Sequence, residues 1–512
     1  MPTICIKKVM LFIGFLALFT LLLVTMVPIN GDVAFLVQMA KTTKLSGMYN
    51  DYFEVNPPLI VYIYKIFLSI NLFGYLSDIS SIRLGTVLFI LTSILMVYFN
   101  VCNIKKIDNG VMLLTVSLSL LVINPIMFSQ REQFISSCLI VYLSYAISHL
   151  YGDRNRLLML MSAAFTAVAL CLKPQYLWVF LFVEVYLWCK LSINSRLPYV
   201  SIVISLGFLY IFSVYELNEK YIITIVPWAN EYYSSYFKDS SKFIGIAMLL
   251  IVTTLPAYTY LRWSSFNNNV LELLLVFFLG AILAFISGRT AFPYHLIPAA
   301  TFSYLIVNLA LVNILLGEKE WKIKKVFIIL MSITPLLLWQ FPYYSKVPMF
   351  DLANAYKRFV NDTQNIDKDM IVSSELLALS NTIDASTTPG DAVIFLASKG
   401  MYPHHTIPLH SSLVWSLRLP NFWLLPNAID NRESSSHSNH IKMIQTVVYE
   451  DLRSVSPKVI IREILDDRVK LSDRYIFDVL NERKELRDIL YQYKLVATHT
   501  YKQSIFEVYV LE

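Results

Sequence analysis

The chain has 512 residues, of which 56% are hydrophobic and 15% charged, and its formal net charge is +6. Soluble domains average about 25% charged residues. So few charges cannot cover a globule of this size, which excludes an ordinary soluble enzyme, a disordered protein and a nucleic-acid-binding protein. The composition instead predicts an α-helical polytopic membrane protein, with membrane lipids among its partners and no nucleic acid.

The charges divide the chain into two parts. Residues 345–512 carry 19 Lys and Arg against 21 Asp and Glu, whereas residues 1–344 carry 23 against 15. The excess of basic residues suits the cytoplasmic loops of a transmembrane body over 1–344. A soluble domain is predicted over 345–512. The domain is predicted to be α/β. The charged periodic stretch Ser472–Tyr493 predicts helix, and the apolar β-branched runs Ala392–Phe395, Val459–Ile461 and Ile505–Val510 predict strands.

Eleven segments are apolar enough to cross a membrane as helices. The first follows Lys7 and Lys8, which places the N-terminus in the cytoplasm. Because the number of spans is odd, the C-terminal domain is predicted to be extracytoplasmic. The segments are 9–28, 84–102, 109–128, 133–151, 157–172, 175–190, 197–214, 243–261, 270–287, 296–316 and 326–343.

The apolar stretch Pro58–Tyr75 is predicted to lie on the membrane rather than to cross it. It opens with a Pro-Pro pair and carries Lys65. Counting it as a span would move the basic residues of later loops, such as Lys105, to the outer face, against the positive-inside rule. Residues 30–83 are therefore predicted to form one long outer loop that contains an interfacial helix.

Polar residues gather at the predicted outer ends of the spans in five segments. Ionisable groups near membrane depth are costly and usually line a polar cavity. Five such segments on one face predict an outward-facing active site. They are Asn30–Asp32, Tyr52–Leu59, Ser129–Gln133, Lys173–Tyr176 and Gly288–Pro298.

Motifs in these segments resemble those of a known family. An acid after the first span, an amphipathic helix, Tyr-x-Asp-Tyr-Phe at Tyr49–Phe53 and Pro-Pro-Leu at Pro57–Leu59 resemble the first outer loop of GT-C glycosyltransferases. The closest group is the protein O-mannosyltransferase and aminoarabinose transferase superfamily, glycosyltransferase family 39/83-like. Gln-Arg-Glu, Lys-Pro-Gln and Tyr-His-x-x-Pro resemble motifs of bacterial members. The resemblance covers residues 9–345 and implies a GT-C-like fold.

The resemblance also implies an activity, a hexosyl or pentosyl transfer outside the cytoplasmic (inner) membrane. Such enzymes take a sugar from a polyprenyl-phosphate donor, and a hydroxyl of a glycan, lipid or protein acceptor attacks the anomeric carbon with inversion. The first-loop acid, Asp32, is the implied base, because a hydroxyl attacks well only as a carboxylate takes its proton. The anionic leaving group needs cations, and the predicted donor-phosphate ligands are Arg131, Lys173, Arg289 and His295.

Other residues of the five segments are candidates for binding the acceptor, a metal or the substrate. Glu54 and Glu132 are candidates for binding the acceptor or a divalent metal, and no cofactor is otherwise predicted. Asn56, Tyr52 and Tyr294 are predicted to line the substrate. Relatives of the aminoarabinose transferase type carry Lys-Pro-Pro-Leu where this chain has Asn-Pro-Pro-Leu, so positive charge for the phosphate must come from elsewhere in the chain.

Each role has a structural alternative. Asp32 could cap the helix that follows it, and Glu54 could be an interfacial loop acid. Arg131 could pair with Glu132 or Asp32, Lys173 could snorkel to the interface, and His295 could be a structural group. For the whole protein, the alternatives are a transporter or flippase of lipid-linked glycans and a polymerase of them. Neither the broken-helix repeats of a transporter nor a large late loop is found.

Overall fold

The computed structural model describes residues 6–71, 75–122, 125–153, 155–233, 240–264, 266–288, 292–316, 374–397, 401–465, 476–502 and 504–511. The chain forms two compact units. We call the first the helical unit; it comprises Met1–Thr25, Ser80–Val214 and Tyr236–Tyr356. We call the second the mixed unit; it comprises Met26–Ile79, Tyr215–Ser235 and Lys357–Glu512.

The α-helices of the described residues are numbered in chain order. They are α1 (Ile6–Thr25), α2 (Gly31–Thr42), α3 (Met48–Asp51), α4 (Pro58–Leu68), α5 (Asp78–Val101), α6 (Asn109–Leu121), α7 (Arg131–Leu150), α8 (Arg156–Leu172), α9 (Leu177–Lys190), α10 (Ile193–Lys220), α11 (Val226–Tyr233), α12 (Ser240–Trp263), α13 (Asn268–Ser287), α14 (Ile297–Leu316), α15 (Ser374–Ser386), α16 (Thr406–His410), α17 (Leu425–Asp430), α18 (Ser435–Val455), α19 (Ile476–Asn481) and α20 (Lys484–Leu490).

Six helical segments are long and apolar enough to cross a membrane, counting only described residues. The chain is thus a multi-pass membrane protein, as predicted. Ten of the eleven predicted spans coincide with helices, and the eleventh, 326–343, lies outside the described residues. The number of eleven spans stays a prediction. The six segments are Ile6–Thr25, Asp78–Val101, Arg131–Leu150, Ile193–Tyr232, Asn268–Ser287 and Tyr294–Leu315.

Helix α7 lies at the centre of the helical unit, although many of its residues are polar. Ser136 and Ser137 are fully buried there. Their hydroxyls donate to the carbonyls of Glu132 and Gln133 one turn earlier, at 2.8 and 3.0 Å. A serine that satisfies its own hydroxyl in this way can be buried in an apolar surrounding. The polar sequence of α7 therefore fits a helix that other helices surround.

The stretch Pro58–Tyr75 contains α4, a helix of eleven residues. At 1.5 Å per residue it is about 16 Å long, well short of the roughly 30 Å hydrocarbon core of a bilayer. Its Lys65 reaches back to the C-terminal end of α2, where Nζ donates to the carbonyls of Ala40, at 2.6 Å, and of Thr43. A cation at that position complements the helix dipole, so Lys65 fastens α4 to α2.

The C-terminal part of the mixed unit contains a five-stranded sheet in the order β2-β1-β3-β5-β4. Strand β1 pairs in parallel with β2 and β3, whereas β5 pairs antiparallel with β3 and β4. All three predicted strands are present, which confirms the predicted α/β fold. The strands are β1 (Ala392–Leu396), β2 (Val414–Trp415), β3 (Val459–Leu465), β4 (Tyr493–Tyr501) and β5 (Ser504–Leu511).

The helical interpretation of Ser472–Tyr493 was too simple. Its described part contains two short helices, α19 and α20, and Tyr493 already belongs to strand β4. Arg483 adopts an extended conformation between the helices and ends the periodic pattern. Strand β4 was missed because it lies at the edge of the sheet and leaves most of its residues exposed or half-exposed. Such a strand needs no continuous apolar run.

His405 lies in the core of the mixed unit and is fully buried. Its Nε2 lies 2.6 Å from the carbonyl oxygen of Pro420, and its ring centre lies 4.7 Å from that of Phe35 and 4.1 Å from that of Trp415. Burial lowers the pKa of His405 to about 3, because the charged imidazolium would lose its hydration. The histidine is therefore neutral in the folded protein at ordinary pH.

This burial predicts an acid-sensitive mixed unit. The unfolded state binds a proton at His405 below about pH 6.5, and the folded state does not until about pH 3, so stability falls as the pH falls through this range. We expect a loss of about 2 kcal/mol between pH 7 and 5, measured from hydrogen-exchange protection of the β1 and β3 amides. His405→Gln keeps a donor for Pro420 but does not titrate, and should flatten the dependence. Equal slopes in both proteins would contradict this prediction.

Candidate active site

A fully buried carboxylate in the helical unit, Glu132, is surrounded by three basic side chains. Its Oε1 lies 2.9 Å from Lys173 Nζ, 3.1 Å from Arg131 Nη2 and 3.6 Å from His295 Nε2. The three basic side chains are themselves only 9–12% exposed. The structure thus brings together four of the predicted site residues, and we call them the cation cluster.

A tight turn at Ser129, just before α7, positions Glu132 in this cluster. Ser129 adopts a left-handed conformation with φ of 67°, which costs a non-glycine residue energy. Its N–H donates to Gln133 Oε1 at 2.8 Å, and its hydroxyl receives a hydrogen bond of 2.9 Å from Thr86. These contacts hold the strained turn. Arg131 and Glu132 then form the first turn of α7, where the helix dipole favours a negative charge.

The other two basic residues also lie at helix ends. Lys173 is the residue after α8 and precedes a short 3-10 turn, Pro174–Tyr176. His295 lies in a second 3-10 turn, Pro293–Leu296, directly before α14. The hydroxyl of Tyr176 donates to the carbonyl of His295 at 3.4 Å and ties the two turns together. Three helix ends therefore converge on one carboxylate.

The cation cluster gathers basic side chains around a buried carboxylate. Arg131 and Lys173 each carry a positive charge, and both contact Glu132. In the described part of the chain, Glu132 Oε2 is buried without a hydrogen-bond partner. Buried cations that lie close together favour the binding of an anion beside them, and arginine and lysine are the usual ligands of phosphate. The arrangement therefore suits an anionic group.

The same arrangement does not suit a metal ion, because the basic residues around Glu132 would repel it. Among the described residues, no group of three or more His, Cys, Asp and Glu is placed to hold a metal. Glu54, the other acid suggested for a metal, has Oε1 2.7 Å from the backbone nitrogen of Asn56, which donates to it. The role of Glu54 toward a metal or an acceptor stays a prediction.

Two further residues of the late segment were predicted to contribute. Tyr294 is half-buried, and its ring contacts that of His295 edge to face, with centres 4.5 Å apart. This contact places Tyr294 beside the cation cluster. Arg289 lies outside the described residues.

The first-loop acid, Asp32, lies in the mixed unit, in the first turn of α2. The N-cap of that helix is Asn30, whose Oδ1 accepts the N–H of Asp32 at 2.9 Å. The suggestion that Asp32 caps the helix is therefore wrong, because Asn30 does so. Asp32 still benefits from the positive end of the helix dipole, which favours its ionised form.

The remaining first-loop residues are held tightly within the mixed unit. Glu54 is buried and accepts hydrogen bonds from both the backbone and the side chain of Asn56. The carbonyl of Asn56 accepts the hydroxyl of Tyr49 at 2.5 Å. The hydroxyl of Tyr52 lies 2.9 Å from that of Thr42 at the end of α2. Hydrogen bonds therefore hold the loop around Glu54 and join it to the C-terminal end of α2.

A second buried ion pair was not predicted from the sequence. Glu184 Oε2 accepts Arg196 Nε at 3.0 Å, and Glu184 Oε1 accepts Arg196 Nη2 and, at 2.6 Å, the hydroxyl of Tyr142. Both ions are buried inside the helical unit. The available signal was an acid in the middle of a predicted span, 175–190, which usually implies a buried partner.

Comparison with known proteins places this geometry in a known fold. No protein-family model and no curated protein sequence matches the chain. The structure of ArnT from Cupriavidus metallidurans bound to undecaprenyl phosphate aligns with 12% identity and a TM-score of 0.52, over 98% of this chain and 97% of ArnT. ArnT in the apo state aligns with 11% identity and a TM-score of 0.51, over 98% of both chains.

An oligosaccharyltransferase from Archaeoglobus fulgidus, in the apo form, aligns over 96% of this chain and 74% of its own, with 11% identity and a TM-score of 0.38. The fold assignment rests on the two ArnT structures, which align almost from end to end. The chain has the GT-C fold that its first-loop motifs implied, and that part of the sequence interpretation is confirmed.

The cation cluster predicts an anion-dependent stability for Glu132→Gln. Without the carboxylate, Arg131 and Lys173 repel each other, and we expect a loss of about 3 kcal/mol. Inorganic phosphate should restore stability more in this variant than in the parent, because it supplies the missing negative charge. Thermal unfolding of the purified protein with and without phosphate measures both effects.

Two matched controls define the outcome. Glu184→Gln breaks the other buried pair and should lose comparable stability without gaining a stronger response to phosphate. Glu272, which pairs with Lys190 and Arg262 at a more exposed position, should change stability by no more than about 0.5 kcal/mol when replaced by Gln. An equal response to phosphate in both buried variants would contradict an anion site at Glu132.

Proposed function

We propose that the protein is a glycosyltransferase that uses a polyprenyl-phosphate-linked sugar. Its acceptor is a hydroxyl of an envelope glycan, lipid or protein at the outer face of the inner membrane. The N-terminus is cytoplasmic and the C-terminal domain extracytoplasmic. The observation that carries the proposal is the convergence of Arg131, Lys173 and His295 on one buried position in the cation cluster. The shared fold with ArnT, whose structure contains undecaprenyl phosphate, supports it.

The donor phosphate is the group that the cation cluster binds. Arg131 offers two parallel N–H donors to phosphate oxygens, and Lys173 offers a compact charge. The donor is a phosphodiester, which becomes a more negative phosphomonoester as the bond to the sugar breaks. Cations that are already in place stabilise this developing charge without any reorganisation. His295 and, by the same role, Arg289 complete the proposed phosphate ligands.

The acceptor hydroxyl is activated by Asp32. Its oxygen forms a bond to the anomeric carbon from the face opposite the phosphate, and its proton passes to the Asp32 carboxylate. The bond between the anomeric carbon and the phosphate oxygen breaks, and the electron pair leaves with the polyprenyl phosphate. One bond to the anomeric carbon replaces another from the opposite side, so the configuration inverts. Glu54, with Tyr52 and Asn56 beside it in the first loop, is proposed to bind the acceptor.

The base is tested by Asp32→Asn, which keeps the size of the side chain and removes its basicity. We expect transfer from a polyprenyl-phosphate sugar to fall by at least about 100-fold, because general base catalysis contributes about 10²–10⁴-fold. Binding of undecaprenyl phosphate and the amount of folded protein should not change. Asp78→Asn is the control, since Asp78 is likewise an acid in the first turn of a helix, α5. Transfer by Asp32→Asn at the parental rate would exclude Asp32 as the base.

The phosphate ligands are tested by Arg131→Gln and Lys173→Gln. Each replacement removes one charge-assisted hydrogen bond, worth about 1.5–3 kcal/mol, so the KM for the donor should rise about 10-fold to 100-fold. Lys190→Gln and Arg262→Gln remove cations from the half-buried carboxylate Glu272 and should leave the KM unchanged. A normal donor KM in both cluster variants would assign Arg131 and Lys173 a purely structural role.

A further inference from the structure

One segment of the C-terminal domain contacts the first outer loop at two places. Its backbone touches Gly31, the residue before Asp32, and Phe53, the residue before Glu54. The segment is 401–418, which runs from just after β1 to just after β2, and we call it the bracing segment. All of these residues belong to the mixed unit.

The first contact lies beside Asp32. Gly31 precedes it, and a Cβ added to Gly31 would lie 2.2 Å from the carbonyl oxygen of Met401 and 2.7 Å from the nitrogen of Tyr402. No side chain fits in that space, so glycine allows the two backbones to touch. The hydroxyl of Thr406 also donates to the carbonyl of Ile29 at 3.1 Å, in a fully buried position. The bracing segment therefore contacts the two residues Ile29 and Gly31 and fixes the backbone just before Asp32.

The second contact lies beside Glu54. The N–H of Phe53, the preceding residue, donates to the carbonyl of Arg418 at 2.6 Å. Arg418 is in turn fixed to α18, because Asp451 accepts its backbone N–H at 2.9 Å and its Nε at 2.7 Å, while Glu450 accepts its Nη2 at 2.7 Å. The carbonyl that holds Phe53 is thus itself held in place.

Buried rings join the two contacts. His405, within the bracing segment, packs between Phe35 of α2 and Trp415 of β2, with ring centres 4.7 and 4.1 Å away. Phe35 also contacts the ring of Tyr52, at 5.5 Å between centres. A path of packed rings therefore runs from the sheet through α2 to the residues just before Glu54.

We propose that the bracing segment positions Asp32 and Glu54 for the acceptor, so that the C-terminal domain acts in catalysis through the first outer loop. Gly31 and Thr406 are the positioning residues for Asp32. The inference rests on the proposed function, because it assigns a purpose to the placement of the proposed base. A base must lie within hydrogen-bond reach of the proton that it takes, and a misplacement of about 1 Å can cost about 100-fold in rate.

The test is Gly31→Ala. The new methyl group must move away from the Met401 carbonyl by about 1 Å to reach an ordinary contact distance, and α2 or the bracing segment must shift with it. We expect kcat to fall about 100-fold, whereas the donor KM and the amount of undecaprenyl phosphate bound per protein change less than about twofold. Gly14→Ala is the matched control, because a Cβ at Gly14 meets nothing within 4 Å.

A gentler variant guards against simple misfolding. Thr406→Val keeps the shape of the side chain and removes only the hydrogen bond to Ile29, so it should fold and lose about threefold to tenfold in kcat. Its control is Thr92→Val, which removes an exposed hydroxyl on α5. Rates are expressed per bound undecaprenyl phosphate, so loss of folded protein cannot imitate loss of positioning. An unchanged rate per bound lipid in both variants overturns the proposal.

Hydrogen exchange of the α2 amides separates this proposal from the proposed function. Gly31→Ala and Thr406→Val should speed exchange in the first turns of α2, and the two controls should not. If the unmodified protein transfers no sugar, the proposed function fails. Hydrogen exchange in α2 then still tests whether the bracing segment holds the start of this helix in place. If the protein transfers sugar but neither kcat nor α2 exchange responds to Gly31→Ala, the positioning role fails while the function stands.

Discussion

The arrangement of helix ends in the helical unit depends on one buried charge. The carboxylate of Glu132 has lost its hydration, and neighbouring basic side chains must stabilise it instead. A carboxylate that is fully buried needs charged or polar partners close by. The basic side chains around Glu132 come from three helix ends: Arg131 at the start of α7, Lys173 at the end of α8 and His295 just before α14. The strained turn at Ser129 and the bond between Tyr176 and His295 follow from the need to bring these ends together.

The two buried ion clusters of the helical unit differ in how completely they are satisfied. Glu184 uses both oxygens, and one arginine matches its one charge. Glu132 directs Oε1 to all its basic neighbours, and Oε2 has no hydrogen-bond partner in the described part of the chain. A closed pair is what a structural role needs, whereas several basic side chains around one carboxylate suit the binding of an anion. Burial alone would not have separated these two sites.

The sequence predicted the members of the cation cluster but not their arrangement. Charged residues at the ends of apolar runs stand out because the membrane makes them costly, and this found Arg131, Glu132, Lys173 and His295. Glu132 was assigned to an acceptor or a metal, since nothing along the chain shows that residues so far apart surround one carboxylate. Strand β4 was not predicted for a related reason. It forms by pairing with β5 at the edge of the sheet and has no apolar pattern of its own.

The boundary that charge suggests near residue 345 stays a prediction, while each compact unit combines segments that are far apart in the sequence. Met26–Ile79 and Tyr215–Ser235 pack with Lys357–Glu512 in one unit. A long loop gains little stability from its own short helices, because helices of this length are marginal in isolation. Here α2 obtains a core from the C-terminal domain, through the buried side chains of Phe35 and His405. Gly31 makes that packing possible at a point where a side chain would collide with the backbone of Met401. A distant part of the sequence thus folds against the first loop and holds in place the segment that carries the proposed base, Asp32.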